Sequence, residues 1–131
     1  IAFLHKALWG VVNEPGGTGA RAKRPGADVC GKTGTSQVVA LPQGDARRMK
    51  KLAAIHRDHA LFVCFAPMKN PEIAIAVVAE NAGGGGGAIA APIAQKILNA
   101  YFDGKKKGKV APTPVQPDQP ATNPEEEIES D

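Results

Sequence analysis

Two runs rich in β-branched and apolar residues, Ala60–Ala66 and Glu72–Glu80, are separated only by Pro67-Met68-Lys69-Asn70-Pro71. A parallel pairing needs a crossover of a dozen or more residues, so a link this short joins antiparallel strands. The rest of the chain has to be arranged around that hairpin. Before it, Val29 to Leu41 reads as a further strand, with the polar stretch Gly31-Lys32-Thr33-Gly34-Thr35-Ser36-Gln37 leading into Val38-Val39. A cation, hydroxyls and glycines at the start of such a run suit a strand that touches a ligand.

Helical spacing brackets the strands. Ile1, Leu4, Leu8, Val11 and Val12 recur at intervals of three and four, and Asn13-Glu14-Pro15-Gly16-Gly17 should end that helix. Ile89, Ile93, Ile97 and Tyr101 form a second stripe, closed by Asp103-Gly104, with Pro92 in the first turns, where a missing N–H matters least. The loop from Gly16 to Asp28 is dense in glycine and charge, which predicts tight turns and solvent exposure. Residues 42–58 form a long polar connection with room for a short helix. The expected fold is α+β: three antiparallel strands, one helix before and one C-terminal helix. Two open sheet edges and a thinly covered face would make this an incomplete domain, prone to self-association.

Composition separates 1–103 from 104–131. The first part holds nearly all the large apolar side chains, whereas the second holds lysines, prolines and acids and is expected to be a disordered tail. The net charge of +3 conceals a basic body and an acidic end, Glu125-Glu126-Glu127, Glu129 and Asp131. Cys30 and Cys64 have no zinc or CxxC spacing and sit in apolar runs, so buried thiols are expected, although pairing stays open. There is no run of about 18 apolar residues. The chain opens on Ile1 inside a helical pattern, as the C-terminal piece of a longer protein would.

Several motifs compete for a functional reading. Residues 26–33 match the phosphate-binding pattern GxxxxGK[ST], but that pattern needs a buried strand before it and a helix from the lysine. Arg21-Ala22-Lys23-Arg24-Pro25 is a poor buried strand, and Gly34–Val39 is a poor helix. The glycines at 83–87 lack the second strand and acid of a dinucleotide site, and a tight strand-to-helix connection is the expected role. His56 and His59 are too few for a metal centre, so no metal or other cofactor is expected. The basic clusters at 21–24, 47–51 and 105–109 lack interleaved aromatics, which argues against nucleic acid. There remains Lys32-Thr33-Gly34-Thr35 on a strand. Gly34 lets a substrate backbone come close, and the ammonium and hydroxyls suit an extended peptide with a terminal carboxylate.

Gly31-Lys32-Thr33-Gly34-Thr35 resembles the third motif of the penicillin-binding transpeptidases and serine β-lactamases. Ala7–Asn13, Gly17-Thr18-Gly19, Asp58–Phe62 and Val78 through Pro92 are similar to flanking segments of the class B penicillin-binding proteins, so the resemblance covers about 1–103. It implies the last three strands of a five-stranded sheet, and a D,D-transpeptidase that cross-links peptidoglycan stem peptides through a serine acyl-enzyme and binds β-lactams. It also implies the cell-elongation machinery as partner and the periplasmic face of the inner membrane as location. Lys32 and Thr35 would be catalytic. Thr33, Gly34 and Thr35 would bind substrate, with the Thr35 N–H as half of the oxyanion hole. The chain departs from the family in one decisive respect: its serines, Ser36 and Ser130, begin no SxxK or SxN motif, so alone it should be inactive. The other classes open at this stage are a nucleotide-binding P-loop module and a non-catalytic domain that binds anionic polymer.

Overall fold

The computed structural model describes residues 1–38 and 54–108. Helix α1 (Ala2–Asn13) leads through a 3-10 turn at Ala20–Ala22 to β1 (Cys30–Ser36), β2 (His59–Ala66), β3 (Ile73–Ala79) and helix α2 (Ala90–Lys106). The sheet order is β1-β2-β3 with both pairings antiparallel, as the short link required. Strand β1 is shorter than the expected span, whose last part, residues 39–41, lies outside the described residues, as do the basic cluster at 47–51 and the tail from residue 109. Of the polar connection expected over 42–58, residues 42–53 lie outside the described residues; the described part holds a second 3-10 turn, Ala54–His56.

Cross-strand pairs define two unlike faces. Thr33↔Phe62 and Phe62↔Val77 share one face, and Lys32↔Val63 and Val63↔Ala76 the other. The first carries the core: Ala60, Phe62, Cys64, Ala66 and Val77 meet Val12, Val29 and the buried side of α2. Full burial of a ring such as Phe62 contributes about 2–3 kcal/mol. The second face is thinly covered, with Val63 and Val78 53% and 59% exposed.

Both helices depart from their expected stripes. In α2 the buried positions are Ala90, Ala91, Ala94 and Leu98, while Ile93 and Ile97 are over 40% exposed. Small side chains let the helix axis lie close to the sheet, and the isoleucines flank the contact. In α1 only Val12 is fully buried; Ile1, Phe3 and Leu4 face outward. Helix α2 also runs past Gly104 to Lys106, so residues 104–106, expected in the tail, are helical; beyond it Gly108, with a φ of 68° in the left-handed conformation that terminates helices, sets its N–H on the Lys105 carbonyl at 3.0 Å.

The Gly16–Asp28 loop is less solvated than its charge predicts. Arg24 is buried, with Nη2 2.7 Å from the Asp103 carboxylate and its guanidinium 4.9 Å from the Phe102 ring centre. Arg21 donates to the Ala88 carbonyl at 3.1 Å, and Gln95 donates to the Lys23 carbonyl at 2.6 Å. The loop is thereby strapped along α2, and the cations of this cluster face carbonyls and a carboxylate instead of an open anionic partner.

Both cysteines are free and buried. Burial pushes the Cys64 thiol up from its ordinary 9.0 to about 11. The neutral thiol is thus favoured in the fold: its stabilisation is fully present below pH 9 and is lost as pH rises through 11. Chemical denaturation at pH 8.5 and 11 should show the wild-type domain losing on the order of 2 kcal/mol more than Cys64→Ala. Equal losses would remove Cys64 as the cause.

Candidate active site

Strand β1 is a sheet edge among the described residues, paired only with β2. A strand paired on one side leaves alternate backbone N–H and C=O groups facing away, available to an extended ligand. Lys32 and Gly34 lie on the thinly covered face opposite Val63 and Leu61, and Thr33 and Thr35 on the other, opposite Phe62 and Ala60. The structure therefore brings the four residues singled out from the sequence onto one strand edge. Lys32 and Thr35 are exposed, Thr33 and Gly34 half-buried. The Lys32 ammonium donates to the Thr33 carbonyl at 2.7 Å, which holds the charge against the strand beside the threonines.

Thr18 joins this group. Its hydroxyl lies 3.0 Å from that of Thr33, and its loop is anchored by the Gly19 N–H on the Val11 carbonyl at 2.9 Å. Gly17-Thr18-Gly19 lies within the family resemblance, but the sequence alone assigns Thr18 no role. A hydroxyl between two glycines was the available signal; its distance in sequence from β1 concealed the contact.

The glycines at 83–87 do more than close a turn. Only Gly83 has a positive φ, 68°. Gly86 is buried against the backbone of β1 and β2: a Cβ there would fall onto the Leu61 carbonyl oxygen and lie 2.7 Å from that of Gly34. A Cβ on Gly87 would meet the Thr18 carbonyl oxygen, and one on Gly85 would stand 3.6 Å from Thr35 Oγ1. The run is a backing layer for the threonine face of β1, and the absence of side chains is what admits it.

The competing motifs resolve on the same geometry. Lys32 lies inside a strand that continues to Ser36, so no helix N-terminus faces a phosphate there and the P-loop pattern is coincidental. His59 accepts the Asn81 N–H through Nδ1 at 2.8 Å, and His5 packs against Phe65 with ring centres 5.2 Å apart and the planes tilted by 56°. These contacts give both histidines structural work. Lys32, Thr33, Thr35 and Thr18 together offer a cation and three hydroxyls along an edge strand. That set can hold a peptide carboxylate but supplies no nucleophile activated by a neighbouring base.

Residues 2–99 match the family model of the penicillin-binding protein transpeptidase domain. The chain belongs to the penicillin-binding protein transpeptidase family. Over 102 residues it is 40% identical to the peptidoglycan D,D-transpeptidase MrdA of Salmonella typhimurium, a match covering 77% of this chain and 16% of that protein. Among solved structures, penicillin-binding protein 2 of Helicobacter pylori, in its complex with MreC, is 26% identical with a TM-score of 0.58, over 78% of this chain and 17% of that one. Penicillin-binding protein A of Mycobacterium tuberculosis, as a ceftriaxone acyl-enzyme, is 31% identical with a TM-score of 0.52, over 76% and 20%. The chain thus spans about a sixth of the length of the MrdA relative. The chain has the partial α+β fold expected of a segment of this domain.

Proposed function

We propose that the chain supplies one wall, β1 from Lys32 to Thr35, of the active site of a peptidoglycan D,D-transpeptidase. The reading rests on the edge strand that presents an ammonium and two hydroxyls in a chain of this family. In the reaction, a serine hydroxyl from an SxxK motif outside this chain attacks the carbonyl carbon between the two terminal D-alanines of one stem peptide. The C–N bond breaks, D-alanine leaves with the proton on its nitrogen, and an ester remains. The amine of a neighbouring stem then attacks the ester, and the proton it loses returns to the serine.

Lys32 supplies positive potential to the cleft, and the hydroxyls of Thr33 and Thr35 donate to the substrate's terminal carboxylate. The Thr35 N–H stabilises the oxyanion, a type of donor whose removal costs roughly 3–4 kcal/mol in hydrolases. Gly34 keeps the wall low. A β-lactam occupies the same place and acylates the same serine. The elongation machinery is the partner, by likeness to the H. pylori protein solved with MreC. Peptidoglycan as substrate puts the work on the periplasmic face of the inner membrane. No described helix is long and apolar enough to cross a membrane.

Thr18 acts through Thr33, by fixing the direction of its hydroxyl. In the full-length protein, Thr18→Val should slow penicillin acylation about fivefold to tenfold, the worth of one hydrogen bond, and Thr18→Ser should restore it. Equal losses in both variants would make the effect steric. By itself the chain should be inactive. With Val63 and Val78 exposed and sheet edges unpaired among the described residues, it should also self-associate. Light scattering checks this, and a monodisperse monomer at high concentration would contradict it.

A further inference from the structure

A groove of about 500 Å³ runs between α1 and the β2–β3 turn, lined by Ala2, His5, Lys6, Trp9, Met68 and Lys69. Its floor is apolar, with half-buried Trp9 and Met68, and its rim carries the exposed ammonium groups of Lys6 and Lys69. The lining residues include no carboxylate, although the Asp28 carboxylate accepts the Trp9 indole N–H at 3.2 Å beside that floor. Such a groove selects an apolar side chain flanked by acids.

The sequence holds one segment of that kind. Glu125-Glu126-Glu127-Ile128-Glu129-Ser130-Asp131 places a single large apolar residue among five acids. We propose that this segment docks in the groove of its own chain, with Ile128 against Trp9 and Met68 and the carboxylates toward Lys6 and Lys69.

The tether reaches. The end of α2 is fixed beside the β2–β3 turn: Lys105 Nζ lies 2.6 Å from the Glu72 carboxylate, and the Tyr101 hydroxyl 3.5 Å from the Glu72 carbonyl. Lys69 is three residues from Glu72, at most about 11 Å along the chain. The sixteen residues from 109 to 124 span roughly 55 Å when extended. Five of them are prolines, a composition that suits a linker. Tethering keeps the segment at an effective concentration on the order of millimolar, so modest contacts suffice.

The test is photocrosslinking in the full-length protein with p-benzoylphenylalanine at position 128 and peptide mapping of the adducts. The expected adducts lie on residues 2–9 or Met68, with a yield independent of protein concentration. Lys6→Glu with Lys69→Glu should lower that yield about fivefold, and adding Glu125→Lys, Glu126→Lys and Glu127→Lys should restore it, since both are charge effects between exposed groups. High salt should weaken the crosslink in the wild type. Adducts on the Lys105–Lys109 run, on a second copy or elsewhere, or a yield indifferent to the lysine changes, would overturn the proposal.

Discussion

Full-length protein carrying Lys32→Ala is expected to be acylated by a fluorescent penicillin at least about a hundredfold more slowly than the wild type, the range seen when one preorganised electrostatic group is removed from an acyl-transfer site. Lys32 is exposed on an edge strand and its ammonium rests on the Thr33 carbonyl, so its loss should leave the sheet intact while removing the cleft's fixed positive charge. The thermal midpoint should therefore change little. Lys32→Arg keeps charge but not the compact ammonium, and should recover only part of the rate. Acylation of Lys32→Ala at the wild-type rate would remove Lys32 from the site. Slow acylation with a collapsed melting temperature would make its role structural.

A second large effect is expected far from Lys32 in sequence. Gly86→Ala puts a methyl group onto the Leu61 carbonyl oxygen, with the Gly34 carbonyl 2.7 Å away, and both belong to paired strands that cannot give way cheaply. Destabilisation of about 3 kcal/mol or more is expected from overpacking against backbone. Because the displaced backbone is that of β1 and β2 at Gly34, acylation should fall with stability. Gly85→Ala is the control: its position is exposed, and the added methyl would stand an ordinary 3.6 Å from Thr35 Oγ1. That variant should fold nearly as stably as the wild type. If both substitutions were equally tolerated, the backing role of the glycine layer would be wrong.

These two sites differ in how far the sequence revealed them. Strands β2 and β3 were legible because β-branched and aromatic residues cluster between turn signals, and the short link fixed their direction. Lys32, Thr33, Gly34 and Thr35 were legible because they are contiguous on one strand. The glycine run was visible, but its partners at Leu61, Gly34 and Thr18 are brought to it by the fold, so permissive turning was the nearer explanation. Arg24 shows the same limit: a loop cation reads as solvated until Asp103 and Phe102, remote in sequence, are found around it. The stripe on α2 misled for a different reason. Isoleucine outranks alanine in hydropathy, yet the close approach of helix to sheet selects the alanines.

The central claim is that the edge of β1 receives a substrate carboxylate beside an acylated serine. The most direct measurement is a crystal structure of the full-length protein acylated by a penicillin. The expected result has the antibiotic's carboxylate within hydrogen-bonding distance of the Thr33 and Thr35 hydroxyls, and its acyl oxygen on the Thr35 N–H. An acyl-enzyme whose carboxylate and carbonyl are held by other residues, with β1 untouched, would contradict the account.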